Sequence, residues 1–429
     1  MTPSRKSEGE GIKPIILGGG ISGLASAVAL QNIAGIQSQI LERSSLESFQ
    51  SPYAGAGAQI GPNGLKALKA IGGEELMKKA IDSGTVLKGN AMILPGAPEP
   101  MLIPDSTEED MGLPQVFLRW GILRKLLADQ LSHDHCVLNE KGNDVRGYEL
   151  SNDGRVQLVS NKPGNHFIDH GEANLIVSAE GVKSKLRHLV NNNKKLFDEN
   201  DDILNLLSKD LKDTGRVNIK SIVPKDLGES FLNGHTYAFF ANNGGIGCFA
   251  GPAGSGYSYW AISIADTKDE KTGENTQFLS NVGTSDFDSV QKLLLDKLRS
   301  LDTADCQFII DLVEESIPER ILVTRSEEAI NIGPSLQMDG KVVLVGDSAH
   351  AMSLSYGQNP SFALEDAAVL ACCLRDCPSV EVALESYSEQ RVSRCLEMQR
   401  RSAERAMKAM KGEKAEDVSK WIFQWDVEV

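Results

Sequence analysis

The sequence predicts an α/β fold, in which a Rossmann-like nucleotide-binding domain is interleaved with an antiparallel or mixed-sheet domain and followed by a long C-terminal helix. Three observations carry this. A strand, a glycine turn and an Ala-rich helix follow one another from Pro14 to Leu30. A second buried-strand run ending in glycine and aspartate recurs far downstream, at 341–347. Between them, residues 236–264 alternate apolar and polar side chains with period two, the spacing of strands.

Size and charge narrow the class. The chain has 429 residues, enough for two or three domains at roughly 150 residues each. Its 44 Lys+Arg against 59 Asp+Glu give a net charge of −15, a field that repels phosphate backbones and argues against nucleic acid as a partner. No apolar run approaches the ~20 residues of a membrane span. Met1 to Pro14 is polar and without the apolar core of a secretory signal, so a cytoplasmic setting is expected. The seven cysteines form no CxxC pair and the seven histidines no HExxH, so neither a disulfide framework nor a metal is expected. Cys372, Cys373 and Cys377 read as buried thiols of an apolar helix.

The first glycine cluster, Gly18-Gly19-Gly20-Ile21-Ser22-Gly23, follows the strand Pro14-Ile15-Ile16-Leu17. In a dinucleotide-binding turn Gly18 would permit the tight bend, Gly20 would let the backbone approach a pyrophosphate, and Gly23 would allow close helix–strand packing, while the helix start beside Ser22 favours negative charge. The next strand, Gln39-Ile40-Leu41, ends in Glu42, followed by Arg43. An acid there accepts hydrogen bonds from ribose hydroxyls and repels a 2′-phosphate.

The second cluster begins with the strand Lys341-Val342-Val343-Leu344-Val345 and continues Gly346-Asp347-Ser348-Ala349-His350. A strand that ends at Asp347 puts a carboxylate in the crevice where open parallel sheets bind ligands. Tyr356-Gly357-Gln358-Asn359-Pro360 then leads into a helix, with Pro360 suited to its first turn. His350 reads as structural.

These segments together resemble the single-component FAD-dependent aromatic hydroxylases, the para-hydroxybenzoate or salicylate hydroxylase-like flavoprotein monooxygenases, over about residues 14 to 428. The resemblance implies that Gly18, Gly20, Ser22, Gly23, Glu42 and Arg43 hold the ADP half of FAD. It implies that Arg119, in Phe117-Leu118-Arg119-Trp120-Gly121, contacts the ribityl and phosphate region, that Asp347 binds the ribityl chain, and that Gly357, Gln358 and Asn359 lie at the flavin ring. Gly61-Pro62-Asn63-Gly64 would flank that ring, and Trp421-Ile422-Phe423-Gln424-Trp425-Asp426 is similar to the family's C-terminal ending.

The same resemblance divides the chain into FAD-binding segments 12–80, 116–190 and 321–380, substrate-domain segments 81–115 and 191–320, and a C-terminal helix and tail at 381–429. It implies NADH or NADPH as co-substrate, O₂, and hydroxylation or epoxidation of a small aromatic or secondary-metabolite substrate, by a monomer or homodimer. His235, Tyr237 and Tyr257 are the nominees for a catalytic base.

Several positions depart from the family pattern. Glu180 and Ser178 replace an aspartate and a glycine, Leu354 a proline, Asn359 a glycine and Ser361 an asparagine. Asn218-Ile219-Lys220-Ser221 stands where an arginine-bearing strand is usual. These departures keep open two alternatives: dehydrogenation, cyclisation or isomerisation without oxygen insertion, or a flavin-binding subunit without turnover.

In the alternating stretch, the set Ser258, Trp260, Ile262 and Ile264 is expected to face a core. The polar segment 191–212 reads as an insertion, with a solvated helix around Ile203-Leu204-Leu206-Leu207 or a flap. In the C-terminal helix Ala403, Ala406, Met407 and Met410 are expected to pack on the body, with Arg391, Arg394, Arg400, Arg401 and Arg405 solvated.

Overall fold

The computed structural model describes residues 11–45, 51, 54–132, 136–138, 145–160, 167–168, 172–226, 232–241, 245–265, 287–301, 303–330, 332–353, 356–410, 413 and 416–427. Leu354, named above, and residues 242–244 of the alternating stretch lie outside them.

In chain order, β1 (Pro14–Leu17) leads through the glycine turn to α1 (Ile21–Ala29), which a π turn over Leu30–Ala34 prolongs, and to β2 (Gln39–Glu42). β3 (Gly57–Ile60) precedes α2 (Pro62–Ser83), which opens on a proline in its first turn and kinks at Gly73, φ +77°. Next come β4 (Thr85–Val86), β5 (Gly89–Ile93), β6 (Met101–Pro104), α3 (Thr107–Met111), β7 (Val116–Arg119) and α4 (Trp120–Ala128). β8 (Cys136–Leu138), β9 (Val145–Leu150), β10 (Val156–Ser160) and β11 (Leu175–Ser178) follow, then α5 (Lys185–Asn191) and α6 (Ile203–Lys209). β12 (Leu211–Val223), β13 (His235–Ala241), β14 (Ile246–Pro252) and β15 (Ser258–Ala265) precede α7 (Phe287–Arg299), α8 (Gln307–Glu314) and β16 (Leu322–Ala329). The chain closes with β17 (Gln337–Met338), β18 (Val342–Leu344), α9 (Asp347–His350), α10 (Asn359–Asp376), α11 (Val380–Met410) and α12 (Ser419–Phe423).

The first layer is a six-stranded sheet in the order β17-β18-β11-β1-β2-β8, parallel except for β17. β1, β11 and β18 are buried along their whole length, as apolar runs covered on both faces must be. α10 packs on α1, α2 and α11, so the helix that follows the second glycine cluster lies against the helix that follows the first. The expected α/β class is therefore observed.

The second layer is a seven-stranded mixed sheet in the order β16-β12-β15-β14-β13-β5-β6, with one parallel pair, β13 to β5. β13, β14 and β15 form the expected antiparallel meander. The face is now fixed: Trp260, Ile262 and Ile264 join Val217, Ile219 and Phe239 in a buried cluster with α7 and α8. The opposite face, through Lys220, Ile222, Tyr259 and Ala261, turns away from those helices, because successive residues of a strand alternate sides. The insertion carries a helix at Ile203–Lys209, capped by Asp202, with Leu204 exposed and Leu207 buried.

Four expectations are corrected. β16 pairs with β12 in the seven-stranded sheet, although a boundary at 321 would give it to the nucleotide-binding part; its partner strand, not its neighbours in sequence, decides its layer. Met407 is 54% exposed, because the buried stripe of α11 is set earlier, at Leu384, Tyr387, Arg391, Cys395, Met398 and Ser402. Arg391 is 1% exposed and lies in that stripe, held there by two carboxylates. Cys372 and Cys377 are only partly buried, whereas Cys373 is buried, its thiol pushed up to about 11 by burial.

Candidate functional site

The glycine turn is built by contact. A Cβ on Gly18, φ +107°, would meet the Ala179 carbonyl oxygen at 2.4 Å, and one on Gly23 would meet the Gly18 carbonyl oxygen at 1.9 Å. Packing alone therefore requires both glycines. Gly20 differs, since a Cβ there would find only Trp120, at 4.0 Å. Its open side is the room a phosphate needs to reach the start of α1.

Glu42 closes the turn from the end of β2. Its carboxylate accepts from the Gly19 amide at 2.6 Å and the Ser44 amide at 2.7 Å. Burial pushes its pKa up, but the hydrogen bonds from Ser44 and Gly19 and the Arg43 charge outweigh it, and the carboxyl is held below its ordinary range. It stays ionised at neutral pH, as an acceptor for hydroxyls must. Arg43 itself is exposed.

The two glycine clusters meet. Gly346, φ +60°, has no room for a Cβ, which would lie 2.0 Å from Ser22 Oγ, and the Gly181 amide donates to Ser348 Oγ at 3.1 Å. Buried Arg187 donates to the carbonyls of Asp347 at 3.1 Å, Ser348 at 3.4 Å and Val182. Glu180 binds Ser184 Oγ at 2.8 Å and the Leu186 amide at 3.1 Å, so the longer acid still ties down its own turn. One oxygen of Asp347 accepts from Asn359 Nδ2 at 3.1 Å; the same nitrogen reaches the Met352 carbonyl at 3.3 Å, and Asn359 Oδ1 is buried without a partner.

Arg119 ends β7, opposite Gly57. Its guanidinium lies 3.9 Å over the Tyr257 ring, and its buried Nε has no partner. A buried guanidinium nitrogen without an acceptor marks a place for an anionic or carbonyl oxygen. The loop after Asp347 is anchored below. Gly357, φ +64°, lies against Gln59, and Gln358 turns inward to accept from Asn63 Nδ2 at 3.0 Å. The Gly61 amide donates to Ser361 Oγ at 3.3 Å. The Gly61–Gly64 segment and the loop 356–361 are thus one unit, and Gln358 serves it through its backbone position rather than an outward side chain.

Beneath this unit runs a buried ionic network. His350 Nε2 lies 2.6 Å from Asp366 Oδ2, which also accepts from the Gly346 amide at 2.7 Å, while Arg391 Nε reaches Asp366 Oδ1 at 2.7 Å. Arg391 and Arg394 both bind Glu365, and Asn63 Nδ2 donates to it at 2.7 Å. His350, Asp366 and Cys395 could each offer a metal ligand within 4.8 Å of one another. The Arg391 guanidinium on the same carboxylate opposes a second cation there, and the cluster reads as structural.

The three nominated bases fall apart in space. Tyr237 faces the helix side, near Phe308, and its hydroxyl accepts from the Leu232 amide at 2.7 Å; it is corrected to a packing residue. His235 is half-buried at the start of β13, with Nδ1 3.3 Å from the Asn233 carbonyl. Tyr257 lies against a cofactor candidate, the guanidinium of Arg119. Sequence reasoning missed Trp120, which fills the space beside Gly55 and reaches Gly20, and passed over Lys220 as a mere replacement.

Taken as a set, an open glycine at a helix start, an ionised acid at the end of the second strand, an aspartate at the end of the last and a buried arginine with a spare donor fit an extended flavin dinucleotide. This is the architecture of FAD-binding flavoprotein hydroxylases. HpxO of Klebsiella pneumoniae, solved with FAD and uric acid, superposes with a TM-score of 0.72 at 20% identity, covering 94% of this chain and 90% of that one.

No family model matches the chain. It is 26% identical over 385 residues to the aurachin C monooxygenase/isomerase of Stigmatella aurantiaca, covering 90% of this chain and 86% of that protein. It is 26% identical over 367 residues to chloroplastic zeaxanthin epoxidase of Oryza sativa, covering 83% of this chain and 48% of that longer protein. Others among its relatives are named FAD-dependent monooxygenases. The resemblance drawn from the motifs is thereby borne out: the relatives are FAD-dependent monooxygenases, and the fold is that of flavin hydroxylases.

Proposed function

We propose that this protein is an FAD-dependent monooxygenase that uses NADH or NADPH and O₂ to hydroxylate or epoxidise a small organic substrate under the seven-stranded sheet. The observation that carries this is the junction of the two glycine clusters, Gly346 against Ser22, together with the spare buried donor of Arg119 at the end of β7. Bound FAD would supply hydride acceptance and oxygen activation. The chain's own residues supply placement. Gly20 and the start of α1 would receive the pyrophosphate, Glu42 the adenosine ribose, Asp347 the ribityl hydroxyls and Arg119 an oxygen of the phosphate or ribityl region. Asn359 and the start of α10 would lie at the ring, where amides and helix dipole favour negative charge. The aromatic and apolar face of the sheet above would exclude water.

A second reading, in which the same fold carries out an isomerisation, draws on the relative named monooxygenase/isomerase and on Asn359, whose side chain occupies the place of a glycine beside Asp347. One experiment separates the two. Purified protein loaded with FAD is mixed with NADH or NADPH, and oxygen uptake, peroxide and product mass are followed with candidate substrates. Substrate-dependent oxygen uptake with a product one oxygen heavier supports monooxygenation. An isomeric product without oxygen uptake supports the second reading, and protein that binds no FAD refutes both.

A further inference from the structure

Lys220 has a setting that the cofactor motifs do not account for. It lies mid-strand on β12, whose other face, Val217, Ile219 and Ser221, is buried. Lys220 itself is half-buried, and among the described residues its ammonium has neither a hydrogen-bond nor an ion-pair partner. The row that crosses the sheet at this level is apolar: Leu322 on one side, then Ala261, Phe249, Ala238 and Met92 on the other. Neither neighbouring row brings an acid. The row below pairs Asn218 with Ser263 and Thr324, and the row above pairs Ile222 with Tyr259.

This face looks onto the cofactor crevice from both sides. Ile222, two residues along, packs with Phe117 of β7, the strand that ends at Arg119, and Phe117 stacks on Tyr259 at 3.8 Å. On the other side the charge that acts on Lys220 is that of Asp347 in the second glycine cluster. Burial pushes the lysine's pKa down and Asp347 opposes it. Another cation of β12, Arg216, is engaged with Ser263 through Nε to Oγ and Nη2 to the carbonyl, both at 2.8 Å. In a chain with net charge −15, the roof of the crevice thus presents cations and aromatic rings and no carboxylate in these rows.

We propose that Lys220 is the specificity-determining residue of the substrate site, where its ammonium receives an ionised ring oxygen of the substrate while the ring lies along Ala261 and Phe249. An unpaired ammonium in an apolar setting is costly, and an anionic oxygen removes that cost while a neutral ether cannot. The enzyme therefore selects hydroxylated rings that bind as anions over their O-methylated counterparts. A carboxylate would offer the same charge, but it is bulkier and places two oxygens against a single-point donor; a bidentate partner suits arginine better than lysine. This inference rests on the monooxygenase reading of the same site.

The test uses FAD-loaded protein and four probes: 4-nitrophenol, 2-naphthol, and the methyl ether of each, with 4-nitrobenzoate as the carboxylate arm. Binding is read from perturbation of the flavin absorbance, and for 4-nitrophenol also from growth of its phenolate band. The expected result is that wild type binds at least one phenol as the anion and prefers it to its ether by about tenfold or more. Lys220→Met should abolish that preference and leave ether binding, FAD occupancy and flavin reduction by NAD(P)H unchanged, while Lys220→Arg should restore most of it. The proposal is overturned if neither phenol binds, if Lys220→Met keeps the preference, or if 4-nitrobenzoate binds more tightly than both phenols through Lys220. Loss of flavin or of its reduction in the wild type would instead sink the monooxygenase reading, so the two failures are distinguishable.

Discussion

Arg119→Met should separate cofactor binding from stability, because the arginine is needed by one and not by the other. In the protein without cofactor, its guanidinium is buried, stacks 3.9 Å over Tyr257 and leaves Nε without an acceptor. The stacking contributes about 0.5–2 kcal/mol. The unsatisfied donor costs about 1–3 kcal/mol. Methionine fills a similar volume and removes both, so the unfolding free energy of the apoprotein should change by between roughly a 1 kcal/mol loss and a 2.5 kcal/mol gain.

With FAD bound the balance reverses. A charge-assisted hydrogen bond contributes about 1.5–3 kcal/mol, and its loss should weaken FAD roughly 10- to 150-fold. The assay is a titration of apoprotein with FAD, read by flavin fluorescence, beside urea unfolding of the same apoprotein. Unchanged FAD affinity would refute the placement of Arg119 at the cofactor. A weakened affinity matched by an equal loss of apoprotein stability would refute it too, since the arginine would then be holding the fold.

Asp347→Ala should lose more FAD than Arg119→Lys, because the first removes an acceptor and the anchor of Asn359, while the second keeps a charge without the planar fork; equal retention of flavin by both would contradict this. Asn359→Gly combined with Leu354→Pro should raise the rate of flavin reduction or the coupling of oxygen uptake to product, by removing a side chain tied to Asp347 and Met352; unchanged or lower values in stopped-flow reduction would count against a restrictive role. His350 gives a pH signature. Burial disfavours its charge, but Cys395 and Asp366 beside it raise its pKa well above 6.5, so its contribution to stability is complete below pH 6.5 and is lost as pH rises toward the native value. The urea midpoint should fall above pH 6.5 in the wild type and fall less in His350→Gln. Asp366, held down to about 2 chiefly by His350 and Arg391 against the upward push of burial, adds stability above pH 3.8 that disappears only in strong acid.

What was legible in the sequence was local. Gly18 and Gly23 can be read from their spacing because the clash that demands glycine lies within the same turn or on the adjoining strand. Trp260, Ile262 and Ile264 can be read as core because a half-buried strand repeats every two residues, although which face was core needed α7 and α8 to lie on it. Arg391 could not be read. Arginines alternating with glutamates along a helix describe a solvated face, and only the arrival of Glu365 and Asp366 from α10 makes burial of that charge tolerable. Lys220 was equally opaque, since a single cation on an alternating strand looks like a solvent-facing residue until the strand becomes the roof of a crevice.

The ionic network also explains why the tail belongs with the site. Arg394 donates to the carbonyl of Ile422 at 3.0 Å, stacks near Trp421 and Trp425, and binds both oxygens of Glu365 at 2.7 Å. Glu365 in turn receives Asn63, which also holds Gln358 at the head of α10, and the adjoining Asp366 fixes the Gly346 amide. Apart from the ring contacts, each link is a hydrogen bond between groups that are buried or nearly so, where leaving one partner unmet costs more than the bond itself contributes. The position of the loop at the proposed flavin ring is therefore set from the C-terminal segment as much as from the strand that delivers Asp347. A tail that resembles the family's ending is part of what shapes the crevice, even though none of its side chains is expected to touch the cofactor.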